Sequence, residues 1–253
     1  MVVSMTRKVE GEDPKEWILD SVAFYGRSFS EYMQMFNFAL DEWQGKRILD
    51  CNSGPASFTA EAFTKGIHAV ACDPMYATGA DELVSKARHD ISECLKKNAA
   101  QEDMFDAQTC SETTEYAKEK FRALEAFSND FSRGREAGRY VAGRFPQLPF
   151  GDNSFDIVLS AHLLFIYASK NEGGMFDDDT FSLEFHIDAI HEMLRVSAEE
   201  IRIYPLRGPN KPGNPMFDKV MNLLAQEKAV TELVKVGYKD IVGADTMLRI
   251  RKT

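Results

Sequence analysis

No stretch of the 253-residue chain approaches the roughly 20 consecutive apolar residues of a membrane span, and the opening MVVSMTRKVEGEDPKEW has no apolar core of signal-peptide length. Both absences point to a cytoplasmic protein with no membrane partner. Positive charge is also in short supply, with 30 lysines and arginines against 40 aspartates and glutamates, a formal net charge of −10. With no basic run to offset this, the composition argues against a phosphate-binding surface and therefore against nucleic acid. The four cysteines, Cys51, Cys72, Cys94 and Cys110, form no CxxC pair and meet no partner histidine pattern, which disfavours a zinc site or a disulfide framework. Internal repeats and low-complexity segments are missing too, and FSRGREAGRY is too short for an interdomain linker. What remains is a chain long enough to bury a large core as a single domain over residues 1–253.

The densest signals run from Arg47 to Tyr76, RILDCNSGPASFTAEAFTKGIHAVACDPMY. Ile48 and Leu49 make a short apolar run ending at Asp50, and Asn52-Ser53-Gly54-Pro55 carry turn chemistry. Ala56 to Lys65 then reads as a helix, Ala69 to Cys72 repeats the strand signal, and Asp73 closes it. Parallel strands joined by a crossover helix bring their carboxyl ends to one sheet edge, so the Gly54 turn and the Asp73 carboxylate should flank one crevice. A carboxylate there suits a ribose diol. A pyrophosphate fits poorly: the second and third glycines of the dinucleotide fingerprint are missing, Pro55 removes an N–H donor, and Ala56 and Ser57 add Cβ atoms. S-adenosylmethionine (SAM), a nucleoside without phosphates, meets these constraints.

This segment resembles that of class I SAM-dependent methyltransferases. LPFGDNSFDIVLSAHLLFIYA, Leu148 to Ala168, is similar to the run into the fourth strand of the small-molecule, quinone-biosynthesis type, and HEMLRV, His191 to Val196, to the helix before their fifth. The resemblance covers Gly45 to Tyr204 apart from the stretch between Met75 and Arg139. It implies an α/β, Rossmann-like three-layer sandwich on a mostly parallel seven-stranded sheet, order 3-2-1-4-5-7-6, with one antiparallel strand. It also implies a small-molecule methyl acceptor, SAM as methyl donor and S-adenosylhomocysteine (SAH) as product, while the residues themselves give no metal site. Donor contacts would come from Asp50, Cys51, Asn52, Ser53 and Gly54, from Asp73, Pro74 and Met75, from Arg144 and Phe145, and from Ser160. Two departures are visible: LDCNSGPAS has fewer glycines than the family turn, and Arg144 stands where the family carries an adenine-side acid. They leave open a SAM-binding protein without catalysis and an aminopropyl-type transferase on the same fold.

Outside the resemblance, Asp13-Pro14 with Glu16 signals the start of a first helix, and Ser28 with Glu31 the start of a second bearing Phe29, Met33, Phe36 and Leu40. Between them lie Tyr25 and Arg27. In methyltransferases of this class an amino-terminal helix folds over the donor, so the two either reach the ligand or serve as a packing tyrosine and a solvated arginine. The 75–139 span carries two amphipathic patterns, Leu83-Ala87-Ile91-Leu95 and Ala117-Phe121-Leu124-Phe131, and reads as a helical insertion forming a cap or a homodimer contact. Within Ala161 to Tyr167, directly after the fourth strand, His162 is the one neutral-pH proton acceptor, either a catalytic base or a packing histidine. NEGGMFDDD, Asn171 to Asp179, should cap with an aspartate a helix whose core face is Leu183, Ile187, Ile190 and Leu194. The loop Pro205 to Pro215 is expected to face the acceptor. Asn214-Pro215 starts another helix, and Thr231 to Val236 and Thr246 to Arg251 read as an antiparallel pair.

Overall fold

The computed structural model describes residues 16–101, 103–110, 114–210 and 213–252. In chain order the elements are α1 (Phe29–Met35), β1 (Arg47–Cys51), α2 (Phe58–Thr64), β2 (His68–Cys72), α3 (Ala80–Ala99), α4 (Glu115–Glu136), β3 (Tyr140–Val141), β4 (Phe155–Ala161), α5 (Leu183–Val196), β5 (Ser197–Tyr204), α6 (Pro215–Gln226), β6 (Val230–Lys235) and β7 (Thr246–Arg251). The strands form one sheet in the order β3-β2-β1-β4-β5-β7-β6, as expected. β7 runs antiparallel to both of its neighbours, and the other pairings are parallel.

The central strands read as continuous apolar runs because helices cover both faces of a parallel sheet. Ile48, Leu49, Val158, Leu159, Ile201 and Ile203 are completely buried. Register then sets the site: Cys51 pairs with Cys72 on one side and Ser160 on the other, so β1, β2 and β4 end at one level. Both cysteines are buried and free.

The insertion helices behave as their spacing predicts. Leu83, Ala87, Ile91 and Leu95 of α3 and Ala117, Leu124, Phe127 and Phe131 of α4 form a second apolar cluster with Ala71, Tyr76 and Tyr140 at the β2–β3 edge. Among the described residues no helix is long and apolar enough to cross a membrane.

Three expectations need correction. The first amino-terminal helix is not found among the described residues: its Asp13-Pro14 start lies outside them, and residues 16–28 contain no helix or strand. The second keeps its capping box, Ser28 Oγ accepting from Glu31 N–H and Glu31 Oε2 from Ser28 N–H, but ends at Met35 rather than near Leu40. α5 is capped by Ser182, not by an aspartate. Asp178 instead accepts the Thr180 N–H at 2.9 Å, and Asp177 pairs with Lys170 at 2.9 Å. Of the expected α5 core face only Ile190 is fully buried, alongside His186, Ala189, Met193 and Val196.

Candidate active site

A cavity of about 640 Å³ opens at the carboxyl edge of β1, β2 and β4. That is the crevice position for an open α/β sheet, and its size lies within the range of small-molecule sites.

One half is built from the two turns that the sequence singles out. Asn52 and Gly54 adopt left-handed backbone, φ +54° and +56°, which turns the chain sharply out of β1. Asp73 ties this turn to the next, its Oδ2 accepting the Gly54 N–H at 3.0 Å and its Oδ1 the Met75 N–H at 2.9 Å. Each oxygen thereby keeps a second acceptor site. Burial pushes the Asp73 carboxyl up to about 6, against the pull of those two N–H donors. Asn52, Ser53, Gly54, Asp73, Pro74, Met75, Arg144 and Phe145 all line this half.

Asp50, Cys51 and Ser160 lie behind the lining rather than on it. Asp50 Oδ2 accepts from Tyr32 Oη at 2.8 Å and Ser53 Oγ at 2.5 Å, which fixes the turn from below. Complete burial raises its carboxyl to about 7. Ser160 Oγ accepts from Asn52 Nδ2 at 3.2 Å and steadies the same turn.

A strap of irregular chain, residues 17–28, forms the opposite wall. Its backbone donors are taken by other parts of the fold: Trp17 N–H by Asn210 Oδ1 at 2.7 Å, Leu19 N–H by Met175 O at 2.9 Å, Ala23 N–H by Tyr167 Oη at 3.0 Å and Phe24 N–H by Asp90 Oδ2 at 2.7 Å. At Gly26 the strap meets the turn so closely that a Cβ would sit 2.1 Å from the Pro55 carbonyl oxygen. Lys86, Cys94 and Asn98 bring α3 onto the cavity wall. No described residue of the Pro205–Pro215 loop lines the cavity. Its Asn210 instead pins Trp17, so the loop acts through the strap.

The second half surrounds the end of β4. His162 lines the cavity, and its backbone is left-handed at φ +53°, held by its N–H donating to Tyr204 O at 2.7 Å. Non-glycine backbone in this region is costly and concentrates at functional sites. The ring Nε2 lies 2.7 Å from Asp240 Oδ2, an oxygen that Arg27 Nη2 also reaches at 2.7 Å. Burial opposes ionisation of Asp240, but His162 and the Arg27 guanidinium hold its carboxyl well below the usual carboxylate range. Burial, then Arg27, lowers the His162 imidazole to about 4, and Asp240 only partly offsets them. Arg27 is therefore not a solvated arginine, its side chain being 11 % exposed. Tyr25 faces the cavity with its hydroxyl 3.4 Å from that of Tyr116.

Behind this group Lys120, completely buried, pairs with Glu31. Glu31 also accepts from Tyr238 Oη at 2.7 Å, so the capping acid of α1 ties the strap to α4 and to the β6–β7 connection. Burial lowers the Lys120 ammonium to about 8 in spite of Glu31. Asp240, Lys120, Glu31 and the strap residues Trp17 to Phe24 are absent from the sequence-based candidates. Asp240 lies 78 positions from His162, so no local spacing could reveal the pair. Among the described residues no group of three or more His, Cys, Asp or Glu side chains could hold a metal ion.

The strand order with its reversed seventh strand, the glycine turn after β1 and the acid after β2 define the class I SAM-dependent methyltransferase fold. The chain belongs to the same family as the uncharacterized protein MJ0045 of Methanocaldococcus jannaschii, to which it is 31 % identical over 235 residues, 92 % of this chain and 98 % of that protein. No family model matches the sequence. Among solved structures it is similar to the N-methyltransferase NodS of Bradyrhizobium japonicum in complex with SAH, with TM-score 0.46, 11 % identity, and coverage of 88 % of this chain and 86 % of that one. It is also similar to a SAM-dependent methyltransferase of Aquifex aeolicus, with TM-score 0.39, 12 % identity, and coverage of 87 % of this chain and 91 % of that one.

Proposed function

We propose that the protein transfers a methyl group from SAM to a small-molecule acceptor. The observation that carries this reading is the joining of the Gly54 turn and the Asp73 carboxylate on one wall of a cavity that continues past His162. Asp73 has acceptor capacity left for a ribose diol. The lining cations do not assemble a phosphate site: Lys86 is paired with Asp90 at 2.7 Å and Arg27 with Asp240 at 2.7 Å, which leaves Arg144 as the single lining cation outside an ion pair among the described residues. Phe145 and Arg144, which share the lining with Met75, would offer an adenine one ring and one guanidinium.

When bound, SAM supplies an electrophilic methyl on a sulfonium sulfur. The chain's own residues hold the donor by the Asn52–Gly54 and Asp73–Met75 turns, close over it with the strap, and hold the acceptor in line beside the end of β4. Positioning of this kind supplies much of the rate in a bimolecular transfer.

Calorimetry with SAM, SAH and NAD tests the reading. SAM and SAH should bind and NAD should not. Asp73→Ala removes a charged acceptor, a loss of about 1.5 to 3 kcal/mol, and should weaken SAM roughly ten- to hundredfold. Unchanged SAM affinity in this variant removes the ribose contact, and tight NAD binding without SAM binding overturns the reading as a whole.

A further inference from the structure

LPFGDNSFD and HEMLRV, far apart in the chain, meet beside the donor half of the cavity. Glu192 Oε1, from the last turns of α5, accepts the Leu148 N–H at 2.6 Å across 44 positions. Arg195 grips Glu192 with its fork, Nε to Oε2 at 2.7 Å and Nη2 to Oε1 at 2.8 Å, and Nη2 also reaches Phe150 O at 2.9 Å. Its Nη1 donates to Asp152 Oδ1 at 2.7 Å, and its backbone carbonyl accepts the Asn153 N–H at 3.0 Å. The Glu192 side chain is 11 % exposed, and the hydrogen bonds from Arg195 hold its carboxyl below the ordinary value, so the pair is ionised at neutral pH.

The segment held in this way carries part of the cavity wall. Arg144, Phe145, Pro146 and Gln147 line the cavity, and Phe145 and Leu148 are buried. On one side packing fixes it: at Gly143 a Cβ would stand 2.6 Å from Pro149 Cδ and 2.8 Å from Cys72 Sγ, so the segment lies against the ends of β2 and β3. On the other side Pro146 and Gln147 border a surface depression of about 460 Å³, whose remaining walls are Asp188, His191, Glu192 and Arg195. Pro146 and Gln147 are therefore a partition between two open spaces. The turn closes on itself through Gln147 N–H to Arg144 O at 3.1 Å, and its tie to α5 comes one residue further on, at Leu148.

We infer that Glu192 and Arg195 are positioning residues for the donor's adenine, holding the wall from Arg144 to Leu148 where the base meets it. The inference rests on the methyltransferase reading and adds to it two residues that lie outside the cavity lining. The residue types suit the task. A carboxylate accepts the Leu148 N–H, and the planar fork of Arg195 engages both carboxylate oxygens and a carbonyl of the same segment, which fixes direction as well as distance. Without Arg195, Glu192 is a largely buried charge with no counter-charge, and it regains solvation by swinging outward and releasing Leu148. The wall then shifts toward the depression, and the base loses the Phe145 ring.

The test uses the full chain with SAH. In calorimetry Arg195→Ala and Glu192→Ala should each weaken SAH by about five- to hundredfold, the range of a lost base–ring stack. Glu192→Gln keeps an acceptor for the Leu148 N–H and should stay closer to wild type than Glu192→Ala. Ile190→Val, a buried change on the same helix, should lower the melting temperature and leave SAH affinity unchanged. At saturating SAH, nuclear Overhauser contacts from adenine H2 and H8 to the Phe145 ring should be present in the wild type and fade in Arg195→Ala, while those from the ribose to the Asp73–Met75 turn persist. A helix that is merely destabilised does not separate base from ribose in this way. Should Arg195→Ala fail to fold, Arg195→Lys keeps the charge, loses the fork and should show the same separation. Full SAH affinity in both alanine variants, an equal loss in Ile190→Val, base contacts unchanged when the fork is removed, or wild-type SAH bound with its base away from Phe145 each overturns the inference. Absence of SAH binding overturns the methyltransferase reading and this inference with it, and that result is distinct from the other four.

Discussion

Asp50 and Asp73 end neighbouring strands, yet only Asp73 reaches the cavity. Asp50 spends one oxygen on Tyr32 and Ser53 and leaves Oδ1 buried without a partner. Its raised carboxyl has a definite effect on stability. At acid pH both folded and unfolded chains hold the proton. As pH rises toward about 7 the unfolded chain releases it while the folded chain must keep it, so the protein loses stability over this interval. Asp50→Asn can present its oxygen to the same two hydroxyls and carries no titrating group. Its melting temperature should therefore gain on that of the wild type between about pH 4 and pH 7, by the equivalent of about 4 kcal/mol at most. Parallel melting curves across that range would show that Asp50 is not the proton-holding group. Arg144, exposed at the rim beside buried Phe145, should matter less. Arg144→Ala is expected to weaken SAM by about 0.5 to 2 kcal/mol in calorimetry, the scale of a guanidinium against a ring. A larger loss would mean a charged contact instead.

The strap is the element that local signals describe least well. Asp13-Pro14-Glu16 carries helix-start chemistry, but from Trp17 to Phe24 four backbone N–H groups are taken by Asn210, Met175, Tyr167 and Asp90. A helix would need some of those donors for its own carbonyls, so tertiary pairing overrides local propensity. The Ser28–Glu31 box and the apolar repeats of α3 and α4 were legible because caps and 3.6-residue periodicity act within one or two turns. Gly26 tests what the strap does. Gly26→Ala places a Cβ 2.1 Å from the Pro55 oxygen, so the strap must lift from the donor turn. Such overpacking costs about 1 to 3 kcal/mol. Thermal unfolding should move down accordingly, and calorimetry should show SAH affinity falling at least tenfold. Full SAH affinity in a folded variant would mean that the strap closes the acceptor half alone.

At the scale of the whole molecule, strand order and the position of the crevice followed from the βαβ signal at Arg47–Tyr76 together with the family resemblance. The left-handed Asn52 and Gly54 and the bridging role of Asp73 were readable in outline, because one turn and one strand end contain them. The Arg27–Asp240–His162 group was not. Its bonds join residues 213 and 78 positions apart, and only the packed sheet brings the β6–β7 connection against the strap and the end of β4. Whether the donor lies on the turn after β1 is decided by a crystal structure with bound SAH. The ribose hydroxyls should lie within hydrogen-bonding distance of Asp73, with the adenine against Phe145 and Arg144 and the sulfur on the side facing His162. SAH seated elsewhere, or with its ribose away from Asp73, would contradict this placement of the donor.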